Sequence, residues 1–325
     1  MMRFDMRVPG KTPPEIADQY RAVIEMARWA DDEGCVGVVL SEHHAAEDGY
    51  LPSPLVLASA VAAVTERVPI MVAAALLPMY DPVRLAEDMI VLDHVSRGRV
   101  MFTLGIGYRP VEYELHGLDF EVRGAIADAK LAKLLDVLRQ ASEARAMPRV
   151  TPPSLTAGRP RLSWGGATRA AARRAGRHGL DFFAQTNTPG LADAYATAAR
   201  ESGFEPGMCL LPSPEMPLSV FVHPDPDVGW REVGAYLLAD AVAYAEWNED
   251  MRHSTASLSK GRSVEELRAE QGAHRVVDVE QAVALVRQWG SLPLHPLCGG
   301  CPPELAWRYL RRVVDEVMPA LHAGR

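Results

Sequence analysis

The sequence predicts an α/β protein, a single (β/α)8 barrel of the TIM type with short loop insertions, spanning residues 1–325 as one domain. Three observations carry this. Short apolar runs alternate with longer amphipathic segments along the whole chain, as strands and crossover helices of a parallel sheet do. There are eight such runs, the number that a barrel needs. The first run is not followed by G-x-G-x-x-G, which would favour a doubly wound open sheet with a dinucleotide site. At roughly 150 residues per domain, 325 residues allow two domains or one large barrel, and no shift in composition divides the chain.

In order, the expected strands are Phe4–Val8, Val36–Leu40, Ile70–Leu77, Val100–Ile106, Arg161–Trp164, Asp181–Ala184, Leu218–Val222 and Leu294–Cys298. Ile16, Tyr20, Val23, Ile24 and Ala27 form one apolar helical stripe, and Leu310, Val313, Val314 and Val317 another. Pro54, Pro82 and Pro189 sit where first helical turns accept proline, and Gly34 stops the first helix. The first strand runs into VPGKTPP, and the nearest approach to a dinucleotide fingerprint, Gly105 to Pro110, has proline for its third glycine. Met147–Pro160 and Asn248–Arg275 interrupt the rhythm and are expected to be loops or short insertions. Asp93 and His94 end a helix before Gly98 and receive no chemical role.

Composition excludes several classes. With 48% hydrophobic and 23% charged residues the chain is neither disordered, collagenous nor a coiled coil. Lys+Arg at 34 against Asp+Glu at 42 gives a net charge of −8, which argues against nucleic acid or an anionic lipid surface as partner. Four cysteines are too few for a disulfide framework, and the N-terminus lacks a signal-peptide pattern, so a cytoplasmic location is expected. Leu55–Val64 and Pro69–Leu77, the most apolar stretches, fall short of the roughly 18 residues of a membrane helix.

Ser41, Glu42, His43 and His44 end the second strand, on the side of a barrel where active sites are built. Adjacent strand residues point to opposite faces, so the two imidazoles cannot readily share one metal ion, and no metal site is expected. Ala73, Ala74 and Ala75 either fill a tapering barrel interior or leave room for a flat ligand. Gly165, Gly166, Ala167 and Thr168, before an Arg-rich helix, suit either a phosphate at a helix N-terminus or a plain Thr-capped turn. Cys298 and Cys301 have redox-motif spacing but lie after the last expected strand, where a tight strand-to-helix turn is the simpler account.

Taken together, SEHH, EDGYLPSPLVLASAVAAVTERV, ALLPMYDPVRLAEDMIVLDHVSRGRV, LGIGYRPVEYELHG, WGGATRAAARRAGRHGLDFF and CGGCPPELAWRYLRRVVDEVMPAL resemble the bacterial luciferase-like flavin-dependent oxidoreductases. The segments run in that family's order over nearly the whole chain. The resemblance implies a (β/α)8 barrel binding reduced FMN, or in some branches the deazaflavin coenzyme F-420, at the C-terminal ends of the strands. His43 is the implied catalytic residue. Ala73 and Ala74, the site of an implied non-proline cis peptide, would lie beneath the ring, Gly105, Tyr108 and Arg109 would also contact the cofactor, and Gly165, Gly166, Ala167 and Thr168 would hold the phosphate.

Thr103 and Ile106 depart from the family's glycine and basic residue, leaving Arg109 or Arg169 to supply a phosphate contact. Cys301 stands where an apolar residue is usual. The implied reaction is oxygenation of a small organic substrate by reduced FMN and O2, with a separate flavin reductase as partner and a homodimer as the assembly. The alternatives are hydride transfer with the deazaflavin on the same fold and flavin binding without catalysis. The loops Ala45–Pro52, Arg109–Glu114 and Asn248–Ser263 would select the substrate.

Overall fold

The computed structural model describes residues 1–143, 147, 149–248 and 258–323. In chain order the elements are β1 (Met2–Phe4), α1 (Pro13–Asp32), β2 (Val38–Leu40), α2 (Pro54–Val64), β3 (Ile70–Leu76), α3 (Pro82–Ser96), β4 (Val100–Gly105), α4 (Pro110–Leu115) and α5 (Arg123–Ser142). They continue with β5 (Arg161–Gly166), α6 (Arg169–Arg177), β6 (Asp181–Ala184), α7 (Leu191–Glu201), β7 (Cys209–Leu210), β8 (Ser219–Val222), α8 (Pro226–Trp247), α9 (Val264–Glu270), β9 (His274–Val277), α10 (Val279–Trp289), α11 (Pro303–Arg312) and α12 (Met318–Ala323). Two compact units result: Met1–Val39 with Glu47–Tyr50 and Pro212–Arg325, and Leu40–Ala46 with Leu51–Leu211. Among the described residues no helix is long and apolar enough to cross a membrane.

The unit centred on residues 51–211 holds β3, β4, β5, β6 and β7, all parallel and adjacent in chain order. Helices connect them, the only economical way to join parallel neighbours. Strand residues such as Val72, Phe102, Leu104, Trp164 and Phe182 are buried with Leu85, Met89 and Leu134 of the helices. Asp81 starts α3 by accepting from the Val83 and Arg84 amides, both at 2.9 Å, with Pro82 in the first turn. The helix stops at Arg97, which takes a left-handed conformation one residue before the expected Gly98. Asp93 accepts from Ser154 Oγ, Thr156 N and Thr156 Oγ1 at 2.6–2.7 Å, tying the Pro-rich segment to α3.

In the other unit, β8 pairs with β9 in parallel, Leu294 bridges Met2, and Met2 N donates to Gly37 O at 2.9 Å. Val220, Val222, Val277, Val283, Leu285, Leu292 and Val317 form its apolar core.

Several expected boundaries move. The first strand ends at Phe4 rather than Val8, because Met6 takes φ 62° and Asp5 and Arg7 turn into a buried ion network. Leu294–Cys298 is not a strand beyond Leu294, since Gly299 and Gly300 at φ 57° and 84° fold the chain into a tight turn. The segment expected as a loop to Arg275 contains α9, capped by Ser263 through Glu266 N at 3.2 Å, and the start of β9. β7 was not expected. Arg174 is buried between Asp128 and the Trp164 ring, so the α6 basic face is not wholly solvated.

Gly176 lets α6 approach α7: a Cβ there would lie 2.5 Å from Tyr195 O and 2.7 Å from Ala199 N. Helix propensity alone favours alanine by about 1 kcal/mol, but overpacking costs about 1–3 kcal/mol and backbone atoms cannot step aside. Gly176→Ala is therefore expected to lower the urea midpoint, while Gly272→Ala, whose Cβ would meet nothing nearer than 4.0 Å, stays near wild type.

Candidate functional site

The chain after β2 crosses to the unit of β3–β7 at Leu40, and there Glu42, His43 and His44 find separate partners. His43, 7% exposed, places Nδ1 2.8 Å from Oε1 of Glu112, which has no exposure at all. The same oxygen accepts from His44 N at 3.0 Å and lies 3.5 Å from Arg109 Nη1. Tyr108 places its hydroxyl 3.3 Å from His43 Nε2. His44 instead pairs with Glu42, Nε2 to Oε1 at 2.7 Å. Glu42 Oε2 accepts from Leu76 N and Tyr80 OH, each at 3.0 Å. Both histidines lie beyond the end of β2 at Leu40, and each has its own carboxylate.

Burial by itself would raise the Glu112 pKa, but the His43 hydrogen bond and charge, the His44 amide and Arg109 outweigh it and hold it below the ordinary range. Burial and Glu42 push the Tyr80 phenol well above its usual range.

Ala73 and Ala74, joined by a cis peptide as the resemblance implies, are both partly exposed in a strand that is otherwise mostly buried. Gly105 sits so close that a Cβ would lie 3.2 Å from that of Ala74, and Gly165 would meet Thr103 at the same distance. The result is a strip of small side chains, Ala73, Ala74, Gly105 and Gly165, across β3, β4 and β5. Thr103, in place of the family's glycine, shares a hydrogen bond with Ser163 at 2.8 Å. Gly166, at φ 154°, would place a Cβ 2.6 Å from that of Ala171. Thr168 Oγ1 accepts from Ala171 N at 3.2 Å, so its side chain caps α6. Ala167 lies in the turn between them.

The two arginines that could replace the missing basic residue sit differently. Arg109, 9% exposed, donates to the His44 and Ala45 carbonyls at 2.6 and 3.3 Å. Arg169 reaches over Gly190 and lines, with Arg173, Arg177, Asp193 and Glu201, a cavity of about 400 Å³ that none of His43, Tyr108 and Glu112 lines. Of the three candidate substrate loops, Arg109–Glu114 contributes to the site, and residues 249–257 of Asn248–Ser263 lie outside the described residues. Glu112, Tyr80 and a role for Glu42 escaped the sequence reading. No local signal marked Glu112, whose partner imidazole lies 69 positions earlier in the chain.

The luciferase-like monooxygenase family profile matches residues 2–291. The chain belongs to the luciferase-like monooxygenase family. It is 30% identical to an alkanal monooxygenase alpha chain from Photorhabdus luminescens over 129 residues, 39% of this chain and 36% of that one. The matched stretch thus spans about a third of the curated relatives' length. The oxygenating constituent of 3,6-diketocamphane monooxygenase from Pseudomonas putida, solved with FMN, superposes with TM-score 0.66 at 17% identity over 98% of this chain and 97% of that one. A coenzyme F-420-dependent secondary alcohol dehydrogenase holding an F-420–acetone adduct gives TM-score 0.60 at 16% identity over 92% and 95%. At these identities the likeness is one of fold.

A second polar cluster belongs to the unit containing both termini. Arg7, 1% exposed, donates Nε to Asp240 Oδ1 at 2.9 Å, pairs with Asp48, and lies over the rings of Tyr50, Tyr244 and Trp247 at 4.2–4.9 Å. His274 Nε2 meets Asp240 Oδ2 at 2.9 Å, and His295 Nε2 is 3.1 Å from Asp5 Oδ1. Asp240, His295 and Cys298 bring ligand-type atoms within 4.8 Å of one another. Both Asp240 oxygens are already engaged, one of them by a guanidinium, so the triad reads as part of an ion network. Burial pushes the Cys298 thiol well up and the Cys301 thiol to about 12, which leaves neither a reactive thiolate.

Burial would raise Asp240 and Asp5, but their histidine and arginine partners hold both below the usual carboxylate range. Groups depressed in the folded state stabilise it above their unfolded pKa of about 4 and lose that contribution as pH falls. The urea midpoint is expected to drop as pH is lowered from about 5 towards 3. Asp240→Ala, which strands Arg7 and His274, is expected to cost about 3–5 kcal/mol at neutral pH.

Proposed function

We propose that this protein is a flavin-dependent monooxygenase that uses reduced FMN and O2 to oxygenate a small organic substrate. The observation that carries the reading is His43, held through Nδ1 by a buried carboxylate with Nε2 turned to Tyr108, in the unit that bears the small-side-chain strip of Ala73, Ala74, Gly105 and Gly165. The strip fits a flat ring, and the turn Gly165–Gly166–Ala167–Thr168 offers first-turn amides of α6 to a phosphate. Bound flavin would supply the electrons that activate oxygen. His43 would hold or move a proton at Nε2, a task suited to an imidazole near neutral pH. Arg109 would act by fixing the loop of His44 and Ala45.

The same reading takes residues 1–325 as one closed (β/α)8 barrel in the cytoplasm, served by a separate flavin reductase. A homodimer would cover exposed apolar residues on the helices, among them Val56 of α2 and Val91 and Val95 of α3. The second reading, hydride transfer with the 8-hydroxy-5-deazaflavin coenzyme F-420, draws support from the likeness to the F-420-dependent alcohol dehydrogenase.

Titration with each reduced cofactor, followed by fluorescence, separates the two: binding of FMN with substrate-dependent oxygen uptake is expected. Binding of the deazaflavin alone, with no oxygen consumed, sinks the first reading. His43→Ala should leave flavin affinity largely unchanged and lower turnover about 10²–10⁴-fold.

A further inference from the structure

We propose that Glu112 is a positioning residue that holds His43 in the Nδ1–H tautomer, keeping the Nε2 lone pair on the Tyr108 hydroxyl, so that Tyr108, His43 and Glu112 form a proton relay. The proposal rests on the reading above only in taking His43 as the group that handles the proton.

An ionised carboxylate can only accept, so the 2.8 Å contact between Glu112 Oε1 and His43 Nδ1 requires the proton on Nδ1. In a neutral imidazole Nε2 is then an acceptor, and the donor before it is the Tyr108 hydroxyl at 3.3 Å. The two rings meet edge-on, centroids 5.2 Å apart at 75°. Glu112 cannot easily turn away. Its Oε1 also takes the His44 amide at 3.0 Å, and Arg109, 3.5 Å from it, is itself fastened to the His44 and Ala45 carbonyls. Its Oε2 is buried without a hydrogen-bond partner, on the side where Gly107 has no Cβ: an added one would lie 3.3 Å from it.

Among the described residues, the charged and titratable groups around His43 include Glu112, Arg109 and Tyr108 from the segment after β4, His44 with Glu42 from the segment after β2, and His116, whose ring packs on His44. In the forward direction a proton arriving at the Tyr108 oxygen displaces Tyr108's own proton to Nε2, and Glu112 neutralises the imidazolium. The reverse step returns it, with no change in electrons. An orienting carboxylate of this kind sets both tautomer and basicity.

Glu112→Gln separates this role from a structural one, because the amide oxygen can still accept from His43 and His44 while the charge is gone. On the full chain carrying ¹⁵N-histidine, the spectrum of wild-type protein above the pH at which His43 titrates is expected to show it protonated at Nδ1 and bare at Nε2. In Glu112→Gln, His43 is expected to titrate at lower pH by about one to three units, with kcat down roughly ten- to a thousandfold and KM little changed. Tyr108→Phe should lower kcat and leave the tautomer as it was.

An Nε2–H tautomer in the wild type overturns the proposal, as does a Glu112→Gln protein that keeps both the wild-type His43 titration and kcat. The spectrum needs neither substrate nor cofactor. It is therefore still read where the deazaflavin alone binds and no oxygen is consumed, the result that sinks the monooxygenase reading, whereas a His43→Ala protein that keeps full turnover overturns the relay.

Discussion

A carboxylate with no exposure can stay charged only if donors replace the water it has lost. Glu112 meets that condition through one oxygen, shared by His43, the His44 amide and the nearby Arg109. The site depends on this arrangement because it binds the segment after β2 to the segment after β4. Those two segments carry the imidazole, the phenol and the guanidinium. Arg109 lends its charge to Glu112, and its hydrogen bonds to the His44 and Ala45 carbonyls fix where those residues run. Glu42 meets the same condition differently, with a backbone amide, a phenol and His44. Two neighbouring histidines therefore end in different electrostatic settings although they are adjacent in sequence.

The network around Arg7 applies the same rule in the other unit with a less forgiving balance. Arg7 faces Asp240 and Asp48, and three aromatic rings cover the guanidinium where water would otherwise be. Its Nη2 still lacks a hydrogen-bond partner. Removing one carboxylate from such a set leaves the remaining charges buried and uncompensated, which costs more than the intact pair contributes. The requirement also reaches the backbone: Met6 at φ 62° ends β1 after three residues and turns Asp5 and Arg7 inward.

Periodicity made the parallel α/β character legible, and β6 lies where the run Asp181–Ala184 puts it. Apolar runs report burial, and burial of Leu294–Cys298 was real in most positions, but Gly299 and Gly300 convert the run into a turn. β9 escaped because His274 and Arg275 look polar, yet His274 is buried against Asp240 from an element 34 residues away. Glu112 was unreadable for the same reason. Nothing local distinguishes a glutamate that folds inward to an imidazole 69 positions earlier from one that faces solvent. Spacing reveals the face of an element, whereas pairing between distant charges requires the fold.

The glycines of β4 and β5 show how packing and binding can call for the same residue. Gly166 is required by Ala171 and Gly165 is crowded by Thr103, so each has a structural reason independent of any ligand. The alanines of β3 are different, because Ala73 and Ala74 remain partly exposed with flanking Val72 and Ala75 buried. A packing role alone favours filling such positions with larger apolar side chains, since exposed small residues forgo burial that a Val or Leu would gain at about 25 cal/mol per Å². Small side chains at a partly open face leave room for the flat ring that the proposed function would place there. The case for a ring-binding surface therefore rests more firmly on Ala73 and Ala74 than on the glycines that first draw the eye.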